Sequence, residues 1–257
     1  QLIRHGKYKS AGEMYIRSNP SKENMEQNRA MIDSIWENWA AEIATSRGIS
    51  TDDLNAMLND LKLNFPEDFV ANGLVDELAN GEQMRRKLAD LYVCDDPDKI
   101  KTISLSDYAT LKNPYNLKSK GKVAVIYANG NIVDGKDAQQ VTGDRFAKII
   151  SEVRKDTTIK AAVLRVNSPG GSVIASEKIK AELELLQERI PVVASYGNYA
   201  ASGGYWISAN CDKIYTDATT LTGSIGVFSI IPDFGGTIHN KLHVFIYEYS
   251  YRNNVFA

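Results

Sequence analysis

Histidine is scarce in this chain: three stand among 257 residues, at His5, His239 and His243. His239 and His243 fall in a polar C-terminal stretch, and His5 has no acidic neighbour in sequence that would orient it. A Ser-His-Asp triad needs such a carboxylate to fix the tautomer of its imidazole, so that route to nucleophilic catalysis has little support. Cysteine is scarcer still, with Cys94 and Cys211 alone. The two form no CxxC pair and have no histidine nearby, which argues against a metal site, and nothing in their spacing requires a disulfide.

Other absences narrow the partners. No apolar run approaches the ~18–20 residues that would span a bilayer, and no secretory leader opens the chain. There is no basic excess: the formal net charge is −2 and the isoelectric point lies near 6.0, so nothing calls for nucleic acid. The local cluster of Lys118, Lys120 and Lys122 sits in a polar stretch and reads as a solvated linker. The chain starts at Gln1, without an initiator methionine, inside what reads as folded sequence. It is expected to be a fragment, with any targeting or anchoring segment upstream.

What is present is an ordinary globular balance, with 43% hydrophobic and 24% charged residues and enough length for one large domain or two modest ones. The pattern changes class along the chain. From Ser21 to Arg47 the spacing of Met25, Ile32, Ile35, Trp36, Trp39 and Ile43 predicts a helix with a broad buried face that stops at Gly48. Ser50 starts a second helix through Leu61, Phe65-Pro breaks the pattern, and a further helix follows Gly81 to about Tyr92. Residues 94–121, rich in Asp, Lys, Asn and Pro, read as a linker.

From Lys122 strand and helix alternate. Buried strands are expected at Val123–Tyr127, Ala161–Val166 and Val192–Tyr196, with a short one at Lys213–Thr216. Helices are expected at Asp144–Lys155, Ser172–Arg189 and Ala200–Asn210. This order implies an α/β domain with a largely parallel sheet and right-handed crossovers. Ligands of such sheets sit beyond the carboxyl ends of the strands, and two glycine-rich motifs follow strands here.

The first motif is Asn167-Ser-Pro-Gly-Gly-Ser-Val173. Gly170 and Gly171 allow a sharp turn and a close backbone approach, and their N–H groups can serve as oxyanion or anion donors. A purely structural glycine turn is an equal reading of this motif alone. The second is Asn198-Tyr-Ala-Ala-Ser-Gly-Gly-Tyr-Trp206. Ser202 stands among small residues that leave room for a substrate carbonyl, and Gly203 follows as a second N–H donor. An isolated serine here would more often be a helix N-cap. The third is Gly6-Lys-Tyr-Lys-Ser-Ala11. Lys9 becomes a base only if its amine loses charge near neutral pH, through desolvation or neighbouring positive charge. Arg4 and Lys7 are candidates for that charge. Ser10, Trp36, Trp39 and Trp206 read as structural.

Taken in order, Tyr8-Lys-Ser-Ala11, Asn167–Val173, Ala201-Ser-Gly-Gly-Tyr-Trp-Ile-Ser208 and Leu221-Thr-Gly-Ser-Ile-Gly-Val227 resemble the signal peptide peptidase (protease IV) family in its long, two-domain bacterial form. The resemblance runs from residue 1 to about 242. It implies a Clp-protease/crotonase-like fold of repeated β-α-β units, with a helical segment from the preceding domain. It implies Ser202 as nucleophile, Lys9 as general base, and backbone amides near Gly171 and Gly203 as oxyanion donors. Gly170 would shape the cleft, and Ser224, a rival nucleophile, would more readily position the Lys9 amine. On this reading residues 1–93 end an N-terminal domain that carries the lysine, 94–121 link, and 122–257 form the catalytic domain. No metal or organic cofactor is needed. Cleaved signal peptides and other short or unfolded peptides would be the substrates. A homo-oligomeric ring or bowl, held by an upstream anchor on the periplasmic face of a bacterial inner membrane, would be the setting. The aromatic tail from His243 departs from the family pattern. A crotonase-like coenzyme-A enzyme and a non-catalytic peptide-binding scaffold stand beside the peptidase as alternatives.

Overall fold

A computed structural model describes residues 2–112, 120–137 and 139–245. Lys118, the middle of the expected linker and the aromatic tail beyond Phe245 lie outside the described residues. The chain opens with β1 (Leu2–His5), α1 (Lys22–Arg47), α2 (Thr51–Asn59), α3 (Pro66–Ala71), α4 (Gly81–Leu91) and α5 (Leu105–Lys112). Then come β2 (Lys122–Asn129), β3 (Ile132–Val133), β4 (Val141–Thr142), α6 (Gly143–Lys155), β5 (Ile159–Ser168), α7 (Val173–Gln187) and β6 (Val192–Ala201). A one-turn α8 (Gly203–Trp206), β7 (Lys213–Tyr215), β8 (Leu221–Gly223), β9 (Val227–Ile230) and α9 (Gly235–Leu242) follow. Two compact units result. One comprises Gln1–Met31, Val125–Lys155 and Ala162–Ala257, and the other Ile32–Ala124 and Asp156–Ala161.

The first unit is built on a sheet of order β2-β5-β6-β7, with β8 also paired to β6. The β5–β6, β6–β7 and β6–β8 pairs are parallel. The period of two along β5 sends Ala162, Leu164 and Val166 to one face, all buried, and the same face of β6 offers Val192 and Ala194. Phe146 and Ile150 of α6 and Ile179, Leu183 and Leu186 of α7 are buried as well, and α7 packs on both α6 and β6. Each such fully buried aliphatic side chain contributes about 1.5–3 kcal/mol. Helix α7 starts where Ser172 accepts a hydrogen bond from the Ala175 amide, the ordinary work of an N-cap serine.

Two sequence expectations for this unit fail. The strand read as buried at Val123–Tyr127 is the last of the sheet order, and it buries Ile126 while Val123, Val125 and Tyr127 remain exposed. The helix expected over Ala200–Asn210 shrinks to α8, because Tyr199, Ala200 and Ala201 are paired with Leu221, Thr222 and Gly223 as the second half of β6. That second half is offset from the first by a bulge, marked by a register shift between Val166 and Ser168 of β5. Gly197 fills the bulge, where a Cβ would press on Asn167 at 2.9 Å. Leu2–His5, to which the sequence reading assigns no element, is a strand, β1, which pairs antiparallel with β9 from Leu2 opposite Ile230 to His5 opposite Val227.

The second unit is helical. Its ends follow the capping chemistry of the sequence: Ser50 accepts from the Asp53 amide at α2, and Asn80 and Gln83 cap α4 reciprocally. Helix α5 lies inside the stretch read as linker, started by Ser104, whose hydroxyl accepts from the Asp107 amide. The broad apolar face expected of α1 is not buried. Its buried residues are Ala40 and Ala44, while Ile32 and Trp39 are 60% and 54% exposed. Trp36 is half-buried and donates its indole N–H to Asn55.

Candidate active site

Ser202 sits where β6 ends and α8 begins, with φ 53° and ψ −117°. Positive φ is unfavourable for a residue with a Cβ and persists where the surroundings impose it. Here the Ser202 amide donates to the Gly223 carbonyl, and the Ser202 carbonyl accepts from the Trp206 amide. The backbone is thus tied on both sides, and the side chain makes no helix-capping bond. The N-cap reading of this serine does not describe it. Ser224, in the loop between β8 and β9, also has positive φ, at 51°.

Lys9 enters from the turn after β1 and is buried, 7% exposed. Its Nζ lies 3.0 Å from Ser202 Oγ, 3.0 Å from Ser224 Oγ and 2.8 Å from the Ser224 carbonyl oxygen. Burial lowers the pKa of the amine from its ordinary 10.5, and burial alone does so. The neighbouring positive charge expected from Arg4 and Lys7 plays no part. The Arg4 guanidinium is engaged by Glu13 at 2.7 Å, and Lys7 is turned over the Tyr8 ring.

Gly170 and Gly171 both have positive φ, 98° and 150°. The Gly170 carbonyl accepts from the Ile132 amide at 2.8 Å, and the Ser172 amide donates to the Ile132 carbonyl at 2.7 Å. Since alternate residues of an extended chain point to opposite sides, the Gly171 N–H faces away from β3. It lines a small cavity of about 70 Å³ shared by Lys9, Ser202, Gly203 and Ser176. A Cβ on Gly203 would sit 3.1 Å from the Gly171 nitrogen. The four sequence-nominated groups Lys9, Ser202, Gly171 and Gly203 therefore meet around one small space, with Ser224 on the amine and Gly170 beneath.

A larger cavity, about 350 Å³, opens beside Ser202 and is lined chiefly by Tyr205, Trp206, Ala209, Ile225 and Val227, with His5 and Lys180 also on its wall. These residues were not nominated from the sequence. Trp206, read as packing, lines both cavities and donates its indole N–H to Glu177 at 2.9 Å. The signal that could have found them is their adjacency to motif residues: Tyr205 and Trp206 follow Gly204, and Ile225 follows Ser224. The Cys211 thiol is a poor nucleophile. Burial pushes the Cys211 thiol up to about 11, which keeps it protonated. Both cysteines are free, and no group of three or more His, Cys, Asp or Glu that could hold a metal occurs among the described residues. Nor, among them, is any helix long and apolar enough to cross a membrane.

Comparison with known proteins adds an independent line. The model of peptidase family S49 matches residues 1–94 and 184–250, stretches that include Lys9, Ser202 and Ser224. The chain is 36% identical over 250 residues to Protease 4 of Haemophilus influenzae, covering 92% of this chain and 40% of that protein. It is 39% identical over 251 residues to Protease 4 of Salmonella typhi, covering 94% and 40%. Over 115 residues it is 36% identical to a putative signal peptide peptidase SppA of Enterococcus faecium, covering 42% and 33%. The chain thus spans about 40% of the length of the two Protease 4 relatives. With the likeness running through the lysine-bearing start and the serine-bearing end alike, this chain belongs to peptidase family S49.

Proposed function

We propose that the chain carries the reactive centre of a serine peptidase that works by a Ser–Lys pair. The observation that carries the reading is the 3.0 Å approach of the Lys9 amine to the Ser202 hydroxyl in a site dry enough to disfavour the ammonium form. A neutral amine has two N–H donors and one lone pair. The carbonyl and hydroxyl oxygens of Ser224 accept the two donors, which turns the lone pair toward the Ser202 hydroxyl. During attack, Ser202 Oγ forms a bond to the peptide carbonyl carbon while its proton passes to Lys9 Nζ. The N–H groups of Gly171 and Gly203 hold the oxyanion, each donor being worth about 3–4 kcal/mol of barrier. The C–N bond then breaks as Lys9 returns the proton to the leaving amine, and water, deprotonated by the same amine, releases the acyl group.

The substrates on this reading are cleaved signal peptides and other short or unfolded peptides. The name of the Enterococcus faecium relative supports the first. The larger cavity supports a preference for an apolar side chain next to the scissile bond, since a dry wall favours a partner that loses no hydration. Residues 1–93 would end an N-terminal domain, 94–121 link, and 122–257 form the catalytic domain. The whole protein would work as a homo-oligomer anchored at the periplasmic face of a bacterial inner membrane. The relatives reported above are named for peptidase activity, and none favours the coenzyme-A or scaffold alternatives.

Hydrolysis of an apolar fluorogenic peptide, with parallel labelling of Ser202 by a fluorophosphonate, tests the proposal. Ser202→Ala and Lys9→Ala are each expected to lower kcat by at least about 10³-fold with the fold retained by circular dichroism. Near-normal turnover in Ser202→Ala would exclude the assignment.

A further inference from the structure

Among the described residues, two charged side chains are buried: Lys9 and Glu13. A buried carboxylate needs several donors to offset its lost hydration, and Glu13 has them. Its Oε1 accepts from Arg4 Nη1 and from the Ser21 hydroxyl, each at 2.7 Å. Its Oε2 accepts from the Ser21 amide at 3.0 Å and from Asn24 Nδ2 at 3.4 Å. The same Arg4 Nη1 also donates to the Lys9 carbonyl at 3.3 Å. One carboxylate therefore gathers β1, the Lys9 turn and the start of α1. These contacts reach the main chain of Lys9; its amine faces Ser202 and Ser224 instead.

We propose that Glu13 is a positioning residue for Lys9: by clamping Arg4 and Ser21 it fixes the main chain of the lysine turn and so holds the amine, dry, against Ser202. This rests on the reading of Lys9 as the base. The other titratable groups on the adjoining segments include His5 on β1, Lys7 and Tyr8 beside the lysine, Tyr15 and Arg17 after Glu13, and Lys22, Glu23 and Glu26 at the start of α1. Tyr8 donates its hydroxyl to Glu26 and lies under Lys7, and desolvation alone acts on the Lys9 amine. The segments holding Ser202 and Ser224 bring hydroxyls rather than charges to it. The Ser21 hydroxyl and amide, followed by Arg4, hold the Glu13 carboxyl down at about 2, so the clamp is set throughout the neutral range.

The test titrates Lys9 directly in the full chain, by NMR of 13C-labelled lysine side chains, alongside kcat and KM. Wild type is expected to titrate below 10.5. In Glu13→Gln the Lys9 midpoint should rise toward 10.5 and kcat should fall about 10²-fold, the effect of a displacement near 1 Å, with KM little changed. Glu13→Asp should recover part of both. If Glu13→Gln fails to fold, Ser21→Ala, which keeps the charge and removes one donor, should give the same shifts in smaller size. An unmoved midpoint and kcat in the variants, with lowered thermal stability alone, would overturn the clamp and leave the peptidase reading intact. A wild-type Lys9 that titrates at its ordinary value would overturn the base assignment itself, and the clamp with it.

Discussion

The Cβ that Gly171 lacks would lie 1.9 Å from the carbonyl oxygen of Ile132. No side chain fits in that gap, and φ at Gly171 is 150°, outside the range L-residues commonly adopt. The β3 bridge and the inward-facing Gly171 amide are thus one construction.

Gly171→Ala is accordingly expected to cost at least about 2 kcal/mol of stability through backbone strain and lost pairing. It should also reduce kcat by about 10²–10³-fold, because the amide proposed as oxyanion donor moves with the bridged backbone. Thermal denaturation and steady-state kinetics of the same preparation check both at once.

The pH dependence follows from Lys9. On the proposed mechanism the neutral amine is the active form, and burial lowers its pKa below 10.5, so kcat/KM should rise with pH and level off before the ordinary lysine range. Stability should carry the same sign. The folded state disfavours the ammonium that the unfolded chain keeps up to 10.5, so stability increases as pH climbs from the lowered value to that point. Lys9→Met should lack this rise. Urea denaturation of the two proteins across alkaline pH reads the difference directly.

Ala209 borders the larger cavity. Ala209→Leu should fill part of it and lower kcat/KM about 10–100-fold for peptides with a large apolar side chain at the scissile bond, against a small change for alanine peptides. Parallel assays on the two peptide series test this, and an equal loss in both would remove the cavity from the specificity account.

Thr142 is fully buried at the end of β4, and its hydroxyl has no hydrogen-bond partner among the described residues. A buried unsatisfied polar group costs about 1–3 kcal/mol. Thr142→Val, nearly equal in shape, should therefore raise stability by about 1 kcal/mol and leave kcat unchanged, as chemical denaturation and kinetics would show.

Much of the α/β architecture was legible because its signals are local. Helix α7 announces itself through Ser172 and the spacing of Ile179, Leu183 and Leu186, and its observed bounds match the sequence reading closely. Membership of family S49 and the parallel sheet carry the Clp-protease-like fold that the motifs implied. The misreadings came where pairing across the chain overrides local preference. Ala200 and Ala201 suit a helix, yet they pair with β8. Ile32 and Trp39 have helical periodicity, which fixes a face but cannot say what covers it. At the candidate site, glycine spacing and the Lys9 motif pointed to groups that meet in space. Glu13 stayed invisible, because the role proposed for it depends on Arg4 and Ser21 converging on it from either side.

The pairing of β1 with β9 also sets a schedule. Lys9 leaves the ribosome 193 residues ahead of Ser202, and β9, whose partner strand leads into the lysine turn, is made later still. Until then the lysine side chain has water around it and keeps its full positive charge. On the proposed reading the nascent polypeptide is therefore born unarmed, and its lysine turn is anchored only once β9 has been made and has paired with β1.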